Sequence, residues 1–432
     1  MKFLFIFALA LSCLAHRPAV AAPLQVVARN ESRAFPIVAN QRATPIVVAE
    51  RDAKVAHIAA DALASDIDLV AGVKPSVSAN LPMGDAAIFV GTLGHSPTID
   101  ALVASGKLNV AAIRGQWESF QITTIDNPTP KVKRGLFLVG SDRRGTAYAA
   151  FALSEAMGVS PWSWWADVTP TRRRELWLRD GVTRQSSPSV KYRGIFINDE
   201  NWGFRQWAFQ TFEPESKVIG PVTYARVFEL LLRLKANYLW PAMHKGSGAF
   251  NSDPRNAQVA DDYAIVMGSS HAERMLRNNV VEWDGDEKSW NYDTNRDKIA
   301  NYWETRVREN GRFENVYTLG MRGVHDTAMN GGGTDEEKVA RLQRVLRDQR
   351  EILANNINPN VEKVPQILVN YKEVLDLYRE GLEMPDDVTL VCPTITTAPF
   401  ANSRRPTNNG ARAVRAFIII FRIWGNRRII CG

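Results

Sequence analysis

Asn315-Val316-Tyr317-Thr318-Leu319-Gly320-Met321-Arg322-Gly323-Val324-His325-Asp326 is the stretch whose reading decides the fold. Its first half is rich in β-branched and aromatic residues and reads as a strand. Gly320 and Gly323 then free the backbone to turn. Past the strand stand an anion binder, an imidazole and a carboxylate: Arg322, His325 and Asp326. A buried strand that delivers polar groups at its C-terminal end is one spoke of an α/β barrel mouth.

The same rhythm recurs on both sides. Residues 193–198 form a strand pattern followed by Asp199 and Glu200, and residues 237–240 one followed by His244. Residues 265–269 precede Ser270 and His271, and residues 366–370 precede Tyr371, Lys372 and Glu373. Residues 388–391 begin a sixth strand. Amphipathic or helical patterns at 224–235, 260–264, 297–309, 334–354 and 373–378 separate them. Strand, polar cluster and helix in repetition predict a (β/α)8 TIM-type barrel, incomplete because the strands stop short of eight.

Ahead of it, residues 22–185 predict a small α/β domain. Strands are expected at 45–49, 86–91, 120–124 and 135–139, the last two around the turn Asp126-Asn127-Pro128. Helices are expected at 53–71, 96–104 and 141–157, the last capped by Ser141 or Asp142. Arg143 and Arg144 are candidates for an anion site at that helix start, or for a solvated first turn. Trp162, Trp164 and Trp165 read as a sugar platform or as packing between domains. The polar, Pro- and Arg-rich residues 169–189 read as a linker, and the barrel domain takes 186–391.

Residues 1–21 have the pattern of a secretory signal: Lys2, an apolar run and Ala19-Val20-Ala21. The run is too short to span a membrane, so a secreted or periplasmic protein without a membrane span is expected. Cysteines occur only at 13, 392 and 431, which leaves the body without a disulfide framework or thiolate metal site. The net charge of +7 comes from the end of the chain. Residues 391–432 hold seven arginines and no Lys, Asp or Glu. Without those seven, the 53 Lys and Arg equal the 46 Asp and Glu, so a nucleic-acid partner is not expected.

Glycoside hydrolysis needs two carboxyl groups flanking the scissile bond, and the predicted mouth supplies several. Arg322 and Lys372 are suited to clamp an anionic sugar. Trp240 and Tyr371 offer ring faces to a pyranose. Zinc held by His244, His271 and His325 is the chemical competitor, but no His-Glu-x-x-His spacing is present, so no metal and no cofactor are expected.

The motifs at 193–203 (Arg-Gly-Ile-Phe-Ile-Asn-Asp-Glu-Asn-Trp-Gly), 237–243, 265–271, 314–326 and 371–374 resemble glycoside hydrolase family 115. Gly-Ser-Asp-Arg-Arg-Gly-Thr at 140–146 and Ser-Pro-Trp-Ser-Trp-Trp at 160–165 resemble that family's N-terminal domain. The resemblance covers about residues 30–391. It implies a xylan α-1,2-glucuronidase that removes (4-O-methyl)glucuronic acid branches from glucuronoxylan with inversion, in a protein that is often a homodimer. It also implies Glu373 and Asp326 as the catalytic carboxyls. Glu200, Trp240, His271 and Arg322 match the uronic acid pocket, and His325, Tyr371 and Lys372 complete the expected site.

The resemblance breaks at Cys392. Family members continue with Trp-x-Asp-Asp-Asn-Tyr-Gly after the strand that corresponds to 388–391. One nucleotide restored within codon 392 turns residues 392–398, with permitted codon choices, into Trp-Pro-Asp-Asp-Asn-Tyr-Gly. Residues 392–432 are therefore expected to be an out-of-frame tail, and resequencing across codon 392 tests this. On this reading the 432-residue chain is expected to be inactive and the frame-restored one active. The alternative is a non-catalytic remnant that binds carbohydrate.

Overall fold

The computed structural model describes residues 23–198 and 200–391. The expected signal, the tail from Cys392 onward and Asp199 lie outside the described residues.

The N-terminal part is built on a six-stranded sheet ordered Val182–Gln185, Phe120–Thr129, Val132–Gly140, Gly84–Thr92, Ile46–Val48, Val77–Ser78. A smaller four-stranded sheet contains Phe35–Ala39 and Leu176–Leu178. Helix Lys54–Ala71 ends at Gly72, whose φ of 73° provides the left-handed stop. Helix Arg143–Ala156 starts at Asp142, whose side chain accepts a 2.8 Å bond from the Gly145 backbone N–H.

Two local expectations are corrected. The 120–140 hairpin runs through Asp126-Asn127-Pro128 and turns beyond Thr129, because a register shift between Asp126 and Thr129 absorbs the irregular residues. Residues 169–189 contain two strands, Leu176–Leu178 and Val182–Gln185, rather than a plain linker. Both pair antiparallel with N-terminal strands, so their polar composition marks sheet edges and turns.

Six short parallel strands follow in sequence order: β1 (Gly194–Phe196), β2 (Tyr238–Trp240), β3 (Val266–Met267), β4 (Tyr317–Thr318), β5 (Gln366–Val369) and β6 (Thr389–Val391). They form two three-stranded sheets. A single parallel bridge, Met267 with Asn315, joins β3 to the residues leading into β4. Met267 donates to Glu314 O at 3.1 Å and accepts from Val316 N at 2.9 Å. Among the described residues β1 and β6 are not paired with each other, so the array is an open arc. Phe196, Tyr238, Trp240, Val266, Val316, Ile367, Val369 and Val391 pack together across five of the strands and the residue that leads into β4.

The apolar core is shared unevenly. One cluster runs from Phe35 through the N-terminal part to Met267 and so includes the elements around β1–β3. A second begins at Met275 and serves β4–β6 with helices Arg296–Asn310 and Asp335–Asn356. Buried Glu118 ties the N-terminal part to the arc, accepting from Arg144 Nε at 2.7 Å and Asn237 Nδ2 at 2.6 Å. Arg143 pairs with Asp261 at 2.9 Å, and Arg144 with Glu314 at 2.9 Å. These two arginines therefore fasten the arc rather than wait for an anion. Trp164 and Trp165 pack against Trp207, and Trp165 also against Phe204, which is the packing role for that tryptophan pair.

Candidate active site

Each arc strand is short because the chain turns outward as soon as its apolar residues end. The residues past the turns gather at the C-terminal end of the arc. After β4, Gly320 takes φ 96°, and Gln349 clasps its peptide from both sides, accepting from the N–H at 2.7 Å and donating to the carbonyl at 2.9 Å. The indole N–H of fully buried Trp290 donates to the Arg322 carbonyl at 2.6 Å. The Arg322 backbone is thus pinned before its side chain does anything.

That side chain is the hub. Arg322 is 1% exposed, and its guanidinium forks onto Glu373: Nε donates to Oε1 at 2.6 Å and Nη2 to Oε2 at 2.8 Å. Its Nη1 donates to Asp326 Oδ1. Lys372 Nζ donates to the other Asp326 oxygen at 2.7 Å, and His271 Nε2 lies 3.2 Å from Asp326 Oδ1. Tyr371 packs its ring on His271 at 4.4 Å between centroids and lies under Arg322 and Lys372. Lys372 takes a φ of 51°, a left-handed value costly for a residue with a Cβ. That bend turns the chain from β5 into the helix Glu373–Arg379 and puts Lys372 and Glu373 on the same hub.

The electrostatics follow from this geometry. Burial pushes the Asp326 carboxyl up, but hydrogen bonds from Lys372 and Arg322 outweigh it and hold the group below the usual aspartate range. Burial, and then the nearby Arg274 charge, bring the His271 imidazole down to about 4, so it is neutral at pH 7. Unfolded, this histidine takes its proton near 6.5, so between about 6.5 and 4 the unfolded chain binds more protons. Its contribution to stability is present above the unfolded value and is lost as pH falls toward 4. Across that window we expect unfolding free energy to drop by about 3 kcal/mol from this group, and His271→Gln to flatten that part of the profile. Urea unfolding between pH 7 and 4 checks it; an unchanged slope in the variant removes His271 as the cause.

Six of the expected residues therefore meet: Glu373, Asp326, Arg322, His271, Tyr371 and Lys372. Three have other partners. Glu200 is buried after β1, where it accepts from the His244 N–H at 2.8 Å and Ser247 Oγ at 3.0 Å, with His244 Nδ1 at 2.9 Å. Trp240 is 4% exposed, packs on Phe196 and donates to the Tyr238 hydroxyl at 2.6 Å, so its ring is in the strand core. His325 is on the surface with Glu287 at 2.8 Å. The three histidines considered as metal ligands thus sit with three different carboxylates. Sequence reasoning missed Arg274. It is 1% exposed beside the hub, and its charge is felt by Arg322, Glu373 and Asp326. A lone arginine in an aperiodic loop carries no pattern that marks it as buried.

A cavity of about 300 Å³ opens at the opposite ends of the strands, lined by Trp117, Tyr192, Asn237, Glu314 and Asn315 among others. None of the hub residues lines it. Among the described residues no helix is long and apolar enough to cross a membrane.

The sequence profile of glycosyl hydrolase family 115 matches residues 185–414, a range that runs past Cys392. The chain is similar to the solved structure of a family GH115 4-O-methyl-α-glucuronidase with specificity for decorated arabinogalactans. The two share 41% identity with a TM-score of 0.73, over 81% of this chain and 44% of that one. The chain therefore spans less than half the length of that protein. The Streptomyces plicatus N-acetyl-β-hexosaminidase also aligns, at 12% identity and a TM-score of 0.49, over 88% of this chain and 69% of that one. No curated protein sequence matches the chain.

Proposed function

The chain belongs to glycosyl hydrolase family 115, and from that premise we propose that it removes α-linked glucuronic or 4-O-methylglucuronic acid branches from a plant polysaccharide by an inverting two-carboxylate mechanism. The observation that carries the reading is the Arg322 hub, which holds Glu373 and Asp326 together at the mouth of the arc. We read the arc as part of a (β/α)8 barrel, with a two-part layout of 22–185 and 186–391. Export by the leading segment and a homodimer belong to the same proposal.

Roles follow from charge. Asp326 enters the reaction as an anion, because Lys372 and Arg322 favour that form. An ionised carboxylate suits the base that activates water, and Glu373 is the second carboxyl of the pair. Neutral His271 orients Asp326 without adding charge. The cations of the hub favour an anionic sugar, and Tyr371 stands beside them.

Glucuronoxylan is the substrate suggested by the motifs. The arabinogalactan specificity of the 41% identical structural neighbour favours a second reading, decorated arabinogalactan. Chromatography of uronic acid released from both polysaccharides tests the proposal, with ¹H NMR of the first-formed anomer. The 432-residue chain and the frame-restored chain are assayed in parallel, and the one that releases product carries the later measurements. Release of the β-anomer is expected. No release from either chain on either polysaccharide overturns the reading.

A further inference from the structure

Arg274 lies in the loop that follows β3, three residues after His271. Its side chain is buried, and among the described residues neither Nε nor Nη2 has a hydrogen-bond partner. Nη1 makes only a long 3.4 Å bond to the Ser270 carbonyl. An unpaired guanidinium in the interior is costly, and the usual outcome is a paired one. Arg274 also faces a second buried cation, Arg322, which makes its position worse still. Burial and Arg322 together bring the Arg274 guanidinium down to about 9, which leaves it charged at pH 7.

The charges that face one another here are Arg274, Arg322, Lys372, Asp326 and Glu373, with His271 neutral. Three cations meet two carboxylates, an excess of one positive charge among the described residues. Arg322 and Lys372 are already matched by Glu373 and Asp326. The excess is therefore Arg274.

We propose that Arg274 is a specificity-determining residue: its unpaired buried charge leaves the hub with one positive charge in excess, so that a monoanionic sugar balances it and a neutral sugar of the same shape does not. This rests on the glucuronidase reading and deepens it. Arg274 acts through Arg322 and His271 and is a positioning residue, not a catalytic one. It keeps His271 unprotonated, so the positive charge offered to the uronate is a fixed one and not a proton that must be taken up.

The test is calorimetry with methyl α-D-glucuronide and methyl α-D-glucoside on the protein that releases uronic acid. Each titration is repeated in two buffers of different ionisation enthalpy. The unmutated protein is expected to prefer the glucuronide and to take up almost no proton at pH 7. Arg274→Met is expected to weaken glucuronide binding by about tenfold or more, leave glucoside binding nearly unchanged, and raise proton uptake toward one as His271 supplies the missing charge. Arg274→Lys is expected to restore most of the preference. A preference that survives Arg274→Met overturns the proposal alone. Uptake near one proton in the unmutated protein does the same without any variant, so the idea stays testable if Arg274→Met fails to fold. An unmutated protein without preference for the glucuronide overturns the glucuronidase reading, and this proposal with it.

Discussion

Glu373→Gln is expected to lower kcat for uronic acid release by a factor on the order of 10³ or more while the protein stays folded. Gln has the shape of Glu, and its amide oxygen still accepts from one arm of the Arg322 fork. It can neither give nor take a proton at the reacting bond. The loss falls on kcat more than on KM, because what is removed is an interaction of the transition state. The backbone of this turn is held by Lys372 and the start of the helix Glu373–Arg379, neither of which depends on the Glu373 charge. The variant should still unfold cooperatively, at a lower temperature than the parent, because one arm of the buried Arg322 fork loses its acceptor. Unchanged turnover would remove Glu373 from the reaction.

Arg322→Met is expected to lower kcat/KM by about 10² or more and to cost only about 1–2 kcal/mol of stability. Removing one partner from a buried ion pair commonly costs about 3–5 kcal/mol, since a charge is left alone in the interior. Here the stranded groups have other recourse. The Glu373 and Asp326 side chains are 28% and 39% exposed and reach water, and Lys372 still holds Asp326. Loss of Arg322 also relieves its repulsion with Arg274. Arg322→Lys should not recover activity, because an ammonium cannot reproduce the two-pronged bond to Glu373. Steady-state kinetics and urea unfolding on both variants check this; near-parental activity in Arg322→Lys would show that charge alone suffices.

The positions of the six arc strands were legible because each is a short β-branched or aromatic run closed by Gly, Pro or polar residues. Their lengths were not. The run from Asn315 reads as one longer strand, yet the regular strand is only Tyr317–Thr318, flanked by single bonds of Val316 to Met267 and Leu319 to Ile367, since Gly320 bends the chain into the grip of Gln349. Gln349 sits on a helix 29 residues away in sequence, and nothing local predicts that contact. The site was legible where neighbours in sequence are neighbours in space, as with Tyr371, Lys372 and Glu373. It was misleading where the two separate. His325 stands one residue before Asp326 but faces Glu287, because the chain between Arg322 and Thr327 turns tightly and aims alternate side chains apart. Trp240 ends an apolar strand, and the alternation that points it into the arc also brings it to the Tyr238 hydroxyl. Arg274 was invisible for the opposite reason. Composition treats an arginine as solvated, and only the packing of the 268–279 loop under Arg322 buries it.

The single bridge between Met267 and Asn315 divides the molecule in time as well as in space. The described residues from Phe35 to Met267 bring their own apolar clusters and can settle on them as they leave the ribosome, before the residues of the cluster that begins at Met275 have been made. The later strands then dock with β3 as their template, and Glu314 and Arg306 add contacts to Arg143, Arg144 and Asn251. His271 follows the first instalment, whereas Arg322, Asp326 and Glu373 arrive with the second. The hub therefore exists only once both are seated. The hub is thus a report that synthesis and docking have been completed in order, and a nascent chain stalled before the second core would have its first part folded and no hub.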